Sequence, residues 1–334
     1  MNERVTILGA GAWGMAIARL LDLKGIAVTL WAFEREEFSS LVRFRTNPAR
    51  LNGFVLAPTV MVTDNLSTAL QGESSLILAI PSQYLRAVLK QIKGQIHPEC
   101  KIVNLAKGVE TGTLLRMSEV IVDELNVAHN RVVTLSGPSH AEEVVMDMPT
   151  TVVAAGQSGQ MVASAQSLFS GNSFRVYSSS DLVGVELGGA LKNIVALAAG
   201  IIDGLGYGDN TKGALVTRGL AEITRLGIAL GAQAETFAGL SGIGDLVATC
   251  TSRHSRNRYV GERIGQGETL EAILSGMKMV AEGVETTRSG HELARRHHVE
   301  MPITDQVYQV LFGNRPAAEA VAELMGRTLK AEIW

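Results

Sequence analysis

Lys192 lies inside a stretch, Leu182 to Ile202, that is apolar on almost every side. A helix with that pattern is buried, and an ammonium group inside it is costly without a partner. Desolvation lowers a lysine's pKa, which suits it to proton transfer. Glu186, on the same stretch, is not at the helical neighbour spacing that would make it a partner. Gly188 and Gly189 lack side chains near the amine, and we expect that gap to admit a ligand. Two readings of Lys192 stand at this point: a proton-transfer group, or a structural lysine paired with an acid from elsewhere in the fold.

A second cluster is Ser252-Arg-His-Ser255-Arg256-Asn257-Arg258. Ser255 is a good N-cap. A helix that begins there with Arg256 and Asn257 is suited to a phosphate monoester. A solvated basic helix start has the same composition. Asp245, between Gly244 and Leu246, is either a turn residue or the carboxylate that orients a catalytic group. Asn104 to Gly108, with Lys107, and Ser136 to Ala141, with Gly137 and Ser139, both follow strand patterns. Ligands of open α/β sheets bind at strand carboxyl ends. The seven histidines show no HxxxH or HExxH spacing, so no metal site is expected.

The third cluster opens the chain. Arg4 to Leu8 reads as a strand, then Gly9-Ala10-Gly11-Ala12-Trp13-Gly14, then a helix. Gly9 permits the turn, Gly11 leaves room for a pyrophosphate, and Gly14 lets helix and strand pack closely. Free N–H groups and the positive dipole end then face the phosphates. Glu34, at the end of the second strand pattern, is placed to bind a ribose hydroxyl. Arg35 beside it is a candidate for the 2′-phosphate of NADP, and Phe33 for stacking on the adenine. NAD and NADP both remain open.

These residues need a scaffold. Strand patterns fall at Val5–Leu8, Ala27–Trp31, Val60–Thr63, Ser75–Ile80, Lys101–Ala106, Arg131–Ser136, Thr150–Ala155 and Arg175–Ser178. Helical patterns such as Trp13–Lys24, Gln83–Ile92 and Gly112–Glu124 fall between them. Continuous Val/Ile/Leu strands are buried on both faces. The expected fold is α/β: a Rossmann-like N-terminal domain, residues 1–180, with a mostly parallel sheet. Beyond Asp181 only 3.6-residue periodicity continues, at Leu182–Ile202, Gly213–Leu230, Arg256–Gly265, Leu270–Leu274, Thr286–Arg296, Thr304–Leu311 and Ala317–Leu324. Residues 181–334 are therefore expected to form an all-α domain for substrate binding and catalysis.

The bulk properties narrow the function. A length of 334 residues suits two domains. A formal net charge of −3 argues against a broad nucleic-acid surface. Cys100 and Cys250 form no CxxC or disulfide framework, which fits a reducing compartment. The first residues run straight into a strand, leaving no room for a signal peptide. Leu187 to Ile202 is too short to span a bilayer. A cytoplasmic protein without membrane insertion is expected, and large apolar helical faces suggest a homodimer.

In order and spacing, these segments resemble the NAD(P)-dependent glycerol-3-phosphate dehydrogenases of bacterial type. The segments are Gly-Ala-Gly-Ala-Trp-Gly (9–14), Ala-Lys-Gly-Val-Glu (106–110), Ser-Gly-Pro-Ser-His-Ala-Glu-Glu (136–143), Gly-Ala-Leu-Lys-Asn (189–193), Gly-Ile-Gly-Asp-Leu (242–246), Ser-Arg-Asn-Arg (255–258) and Val-Ala-Glu-Gly (280–283). The resemblance covers nearly the whole chain. It implies that Lys192 accepts the proton in alcohol oxidation and that Lys107 touches both substrate and cofactor. Gly137, Ser139, Asp245, Ser255, Arg256 and Asn257 would hold dihydroxyacetone phosphate or sn-glycerol 3-phosphate, with Arg256 also near the cofactor. Trp13, Phe33, Val280 and Glu282 would line NAD(H) or NADP(H), and Ala141 would touch its nicotinamide side. Many bacterial members carry a basic residue near Phe33. Here Ala32-Phe33-Glu34 looks more like the NAD-using eukaryotic relatives.

Two alternatives belong to other classes. A dehydrogenase of β-hydroxy acids would pair similar domains with a lysine but take a carboxylate substrate. A silent dinucleotide sensor would bind cofactor without turnover, and would need neither the two lysines nor the Ser-Arg-Asn-Arg segment.

Overall fold

The computed structural model describes residues 3–277, 279–329 and 331–332. All eight expected strands form: β1 (Arg4–Leu8), β2 (Ala27–Trp31), β3 (Met61–Thr63), β4 (Ser75–Leu78), β5 (Lys101–Asn104), β6 (Val132–Ser136), β7 (Thr150–Gly156) and β8 (Phe174–Ser179). They make one sheet in the order β3-β2-β1-β4-β5-β6-β7-β8. The strands from β3 through β6 run parallel, β7 is antiparallel to β6, and β8 is parallel to β7. The link from β6 to β7 holds only the four-residue helix Ala141–Val144, so it reverses the chain instead of carrying it back for a parallel crossover.

Strands β4 and β6 are buried at every position, as expected for a sheet covered on both faces. One apolar layer joins Ile7, Leu30 and Ile77 to Met15, Ile17 and Leu21 of the helix Ala12–Asp22. The opposite layer joins Leu8, Leu76 and Leu78 to Leu85, Leu89 and Ile121. The chain leaves β1 in one direction for β2 and the sheet continues on its other side with β4. A crevice forms at that switch point, outside the strand carboxyl ends.

Among the described residues no strand follows Ser179. The long helix Leu182–Gly204 forms the axis of the second half, buried along almost its whole length. At 23 residues it exceeds the apolar stretch noted in the sequence and is long enough to cross a membrane, yet it is enclosed by protein throughout. Glycines let its neighbour, the helix Arg256–Gly265, approach at backbone distance. A Cβ on Gly200 would overlap the Arg258 carbonyl, and one on Gly261 would overlap that of Leu197.

Several boundaries differ from expectation. The helix predicted from Gly112 begins at Met117, because Gly112 and Leu114 take positive φ values of 86° and 62° in a turn. Helices also start earlier than their periodicity, at Asp209, Glu282 and Pro302. The first turn at Asp209 is polar, and those at Glu282 and Pro302 hold a single buried apolar residue each, Val284 and Ile303, too few to show a period. The helix Asp245–Thr251 was not expected at all. Its glycine-rich lead-in, Leu240–Gly244, forms a wide helical turn instead of a loop.

Candidate active site

The helix Leu182–Gly204 is fixed to the sheet by Glu186. Its carboxylate accepts from Arg116 Nη1 at 2.7 Å, from Ser118 N at 2.9 Å and Oγ at 2.6 Å, and from Thr134 Oγ1 at 3.0 Å. Glu186 therefore serves the sheet, and Lys192 finds its acid elsewhere. Lys192 Nζ donates to Thr249 Oγ1 at 2.6 Å and lies 3.0 Å from Asp245 Oδ1. The other oxygen of Asp245 accepts from Lys107 Nζ at 2.7 Å. Lys107 also donates to the Gly137 carbonyl at 2.9 Å, as does Ser139 Oγ. One buried carboxylate thus joins two lysines, one from the end of β5 and one from the central helix.

Asp245 reaches this place because it opens the unexpected helix Asp245–Thr251, which carries Thr249 one turn later on the same face. Thr249 Oγ1 in turn donates to the Asp245 carbonyl at 2.6 Å. Burial pushes Lys192 down to about 8, Lys107 adds to the depression, and Asp245 opposes it. Burial alone would raise the Asp245 carboxyl, but the two ammonium groups outweigh it and hold the group below its ordinary value. The cluster carries two cations and one anion, so an electron-rich oxygen beside it is stabilised.

Gly188 and Gly189 do not make room for a ligand as expected. A Cβ on Gly188 would lie 2.5 Å from the Ser241 carbonyl oxygen, and one on Gly189 would lie 2.5 Å from Ser136 Oγ. Their role is close packing, which lets β6 and the wide turn press against the lysine helix.

The cluster forms one end of a cleft of about 570 Å³. At the other end lies the glycine turn. Gly9 has φ 115°, and a Cβ on it would meet the Ala79 carbonyl oxygen at 2.5 Å; a Cβ on Gly14 would overlap the Gly9 carbonyl. Gly11, by contrast, has no protein atom within 4 Å of where its Cβ would be. It also caps the helix Ala12–Asp22 without any side-chain bond, so the first N–H groups face the cleft. An open cradle over uncapped N–H groups fits a dinucleotide pyrophosphate.

Gly9, Gly11, Ala12, Trp13, Phe33, Lys107, Ser139, Ala141, Lys192, Asp245, Ser255, Arg256, Asn257, Val280 and Glu282 all line this cleft. Gly14 and Gly137 do not line it and act from behind. Ser255 caps its helix by accepting from Arg258 N at 3.2 Å. Arg256 Nη1 donates to the Val280 carbonyl at 2.8 Å, and Asn257 Oδ1 accepts from Gly283 N at 2.9 Å. Phe33 is 71% exposed beside Trp31, which leaves its face available for stacking. Glu282 contacts the cleft, but both of its oxygens accept from Ser82, through the backbone N at 3.0 Å and through Oγ.

Sequence reasoning missed several cleft residues. Thr249 carries no motif signal, and its role follows only from the helix that holds Asp245. His140 and His254 face each other with ring centroids 6.0 Å apart. Burial and the two lysines hold the His140 imidazole below its usual value. Arg50 and Glu37 reach the far end of the cleft, whereas Arg35 does not line it. Arg35 begins the helix Arg35–Phe44, which also carries Glu37.

A doubly wound sheet with an open glycine cradle, facing a buried lysine on a helical layer, defines a dinucleotide-dependent oxidoreductase. Residues 4–162 match the model for the NAD-dependent glycerol-3-phosphate dehydrogenase N-terminus, and residues 181–322 that for the C-terminus. Glycerol-3-phosphate dehydrogenase [NAD(P)+] of Geobacter sulfurreducens is 52% identical, with both chains covered completely. Glycerol-3-phosphate dehydrogenase [NAD(P)+] 2 of Salinibacter ruber is 51% identical over 100% of this chain and 97% of its own. The crystal structure of the Coxiella burnetii glycerol-3-phosphate dehydrogenase superposes with a TM-score of 0.93 at 36% identity, covering 98% of this chain and 99% of that one. The chain belongs to the NAD-dependent glycerol-3-phosphate dehydrogenase family.

Proposed function

We propose that the protein catalyses reversible reduction of dihydroxyacetone phosphate to sn-glycerol 3-phosphate with NADH or NADPH. The observation that carries this is Asp245 holding Lys192 and Lys107 together in the cleft onto which the glycine cradle opens. The bound nicotinamide supplies the hydride that adds to the ketone carbon. Lys192, protonated, stabilises the negative charge growing on the ketone oxygen and delivers the proton. Thr249 and Asp245 aim its ammonium group. Lys107 adds positive potential and, with Gly137 and Ser139, borders the substrate. Ser255, Arg256 and Asn257, at a capped helix start, receive the phosphate and position a substrate with few other handles. Trp13, Phe33, Ala141, Val280 and Glu282 border the dinucleotide.

Residues 1–180 serve as the dinucleotide unit and 181–334 as the substrate unit. The product is a backbone for glycerophospholipids, made by a cytoplasmic homodimer that needs neither membrane insertion nor nucleic acid. Sedimentation velocity tests the homodimer. The activity is tested by following oxidation of NADH and NADPH with dihydroxyacetone phosphate and with a panel of β-keto acids. Turnover with the triose phosphate alone is expected. Turnover only with the acids, or none with any ketone despite cofactor binding, would replace this function with one of the two alternatives.

A further inference from the structure

The adenosine end of the cleft is bounded by Phe33, Glu34, Glu37 and Arg50. Glu34 stands where a ribose hydroxyl is usually bound, but its carboxylate is already engaged. Arg50 Nη2 donates to Glu34 Oε1 at 2.8 Å, and Arg50 Nε donates to Glu37 Oε1. The two partners differ in setting. The Glu37 side chain is 11% exposed and that of Glu34 is 55% exposed. Glu37 therefore anchors the arginine at the cleft edge, while the Glu34 contact is the solvent-screened one that can be exchanged.

The geometry points to Arg50 as the receptor for the 2′-phosphate of NADPH, with Glu34 as the intramolecular competitor that sets cofactor preference. The inference rests on the cleft being a dinucleotide site. A planar guanidinium matches phosphate oxygens bidentately, and Arg50 lines this end of the cleft, held there by Glu37. With NADH, Glu34 accepts from the ribose hydroxyls and Arg50 offsets its charge. With NADPH, a phosphate dianion beside Glu34 is repelled until Arg50 turns from the carboxylate to the phosphate. One guanidinium that can pair with either a carboxylate or a phosphate lets this edge accept both cofactors.

The test is calorimetric titration with 2′,5′-ADP and 5′-AMP, which differ by the 2′-phosphate alone, on the full chain and on Arg50→Gln and Glu34→Gln. The affinity ratio of 2′,5′-ADP to 5′-AMP is expected to fall about tenfold in Arg50→Gln and to rise about tenfold in Glu34→Gln, the scale of one charge-assisted hydrogen bond. The dissociation constants of NADPH and NADH should shift in the same sense. Binding of 5′-AMP reports that Arg50→Gln keeps its cleft, and an unchanged urea melt reports the same for Glu34→Gln, whose ribose contact is itself altered. A ratio that does not fall in Arg50→Gln overturns the proposal. If that variant loses 5′-AMP binding as well, the ratio in Glu34→Gln decides, and no rise there overturns it. An unaltered chain that binds neither fragment would instead remove the dinucleotide site itself.

Discussion

Lys192 lies 3.0 Å from Asp245, whose second carboxylate oxygen binds another lysine. The ion pair holds the amine in position, while the second lysine prevents the carboxylate from raising its pKa as far as a lone pair would. Removing the amine should therefore remove chemistry without removing the cofactor site. Lys192→Ala is expected to lower kcat by about 10²–10⁴-fold, the usual weight of a general acid–base group, while NADH still binds with near-normal affinity. Fluorescence titration and initial rates measure the two quantities separately. Near-normal turnover in the variant would end the catalytic assignment.

The pH dependence follows from the same cluster. Lys192 is lowered to about 8. Ketone reduction needs the protonated amine, so its rate should fall as pH rises through about 8. Alcohol oxidation needs the neutral amine, so its rate should rise through the same region. Lys107 contributes to the depression, so Lys107→Met, besides lowering the rate, should move the inflection to higher pH. An inflection that stays in place in Lys107→Met would show that the two lysines are not coupled.

The glycine turn separates folding from binding. Gly11 has open space where a side chain would go, and serine is a good N-cap. Gly11→Ser should keep the stability of the cofactor-free protein within about 0.5 kcal/mol and weaken NADH binding markedly. Gly14→Ala meets the Gly9 backbone and should cost about 1–3 kcal/mol or more by overpacking. Denaturant melts and NADH titrations of both variants test the contrast, and equal behaviour in the two assays would contradict it.

Glu186 is the buried link between the lysine helix and the sheet. Glu186→Ala leaves Ser118 and Thr134 without their acceptor and takes one of two carboxylates from Arg116. Breaking such a buried network should cost about 3 kcal/mol or more. A loss below about 1 kcal/mol in urea unfolding would mean that the link contributes little to stability.

Local order along the chain determined most of the scaffold. Eight strand patterns became eight strands: β4 and β6, buried at every position, write themselves as near-continuous apolar runs, while β8 alternates buried and exposed residues. The glycine turn was legible because its three-glycine spacing sits between a strand pattern and a helix pattern, although what crowds Gly9 is the distant Ala79 carbonyl and what Gly11 leaves is open space. Lys192 was conspicuous because a charge inside an apolar helix has few explanations. Its partner was half legible: Asp245 stood as a candidate orienting carboxylate, but no local spacing ties it to Lys192. Asp245 sits beside glycines that suggest a loop, and only the packing of the wide turn Leu240–Gly244 against Gly188 turns that segment into a helix and points the carboxylate at two lysines. Arg50 was invisible for a similar reason. No local spacing ties it to Glu34, and the two meet only when the segment between the helix Arg35–Phe44 and β3 folds back along the cleft. Periodicity and turn chemistry act over a few residues and can be read from the sequence. Ion pairs between distant segments depend on how whole elements pack, and the tertiary structure alone decides them.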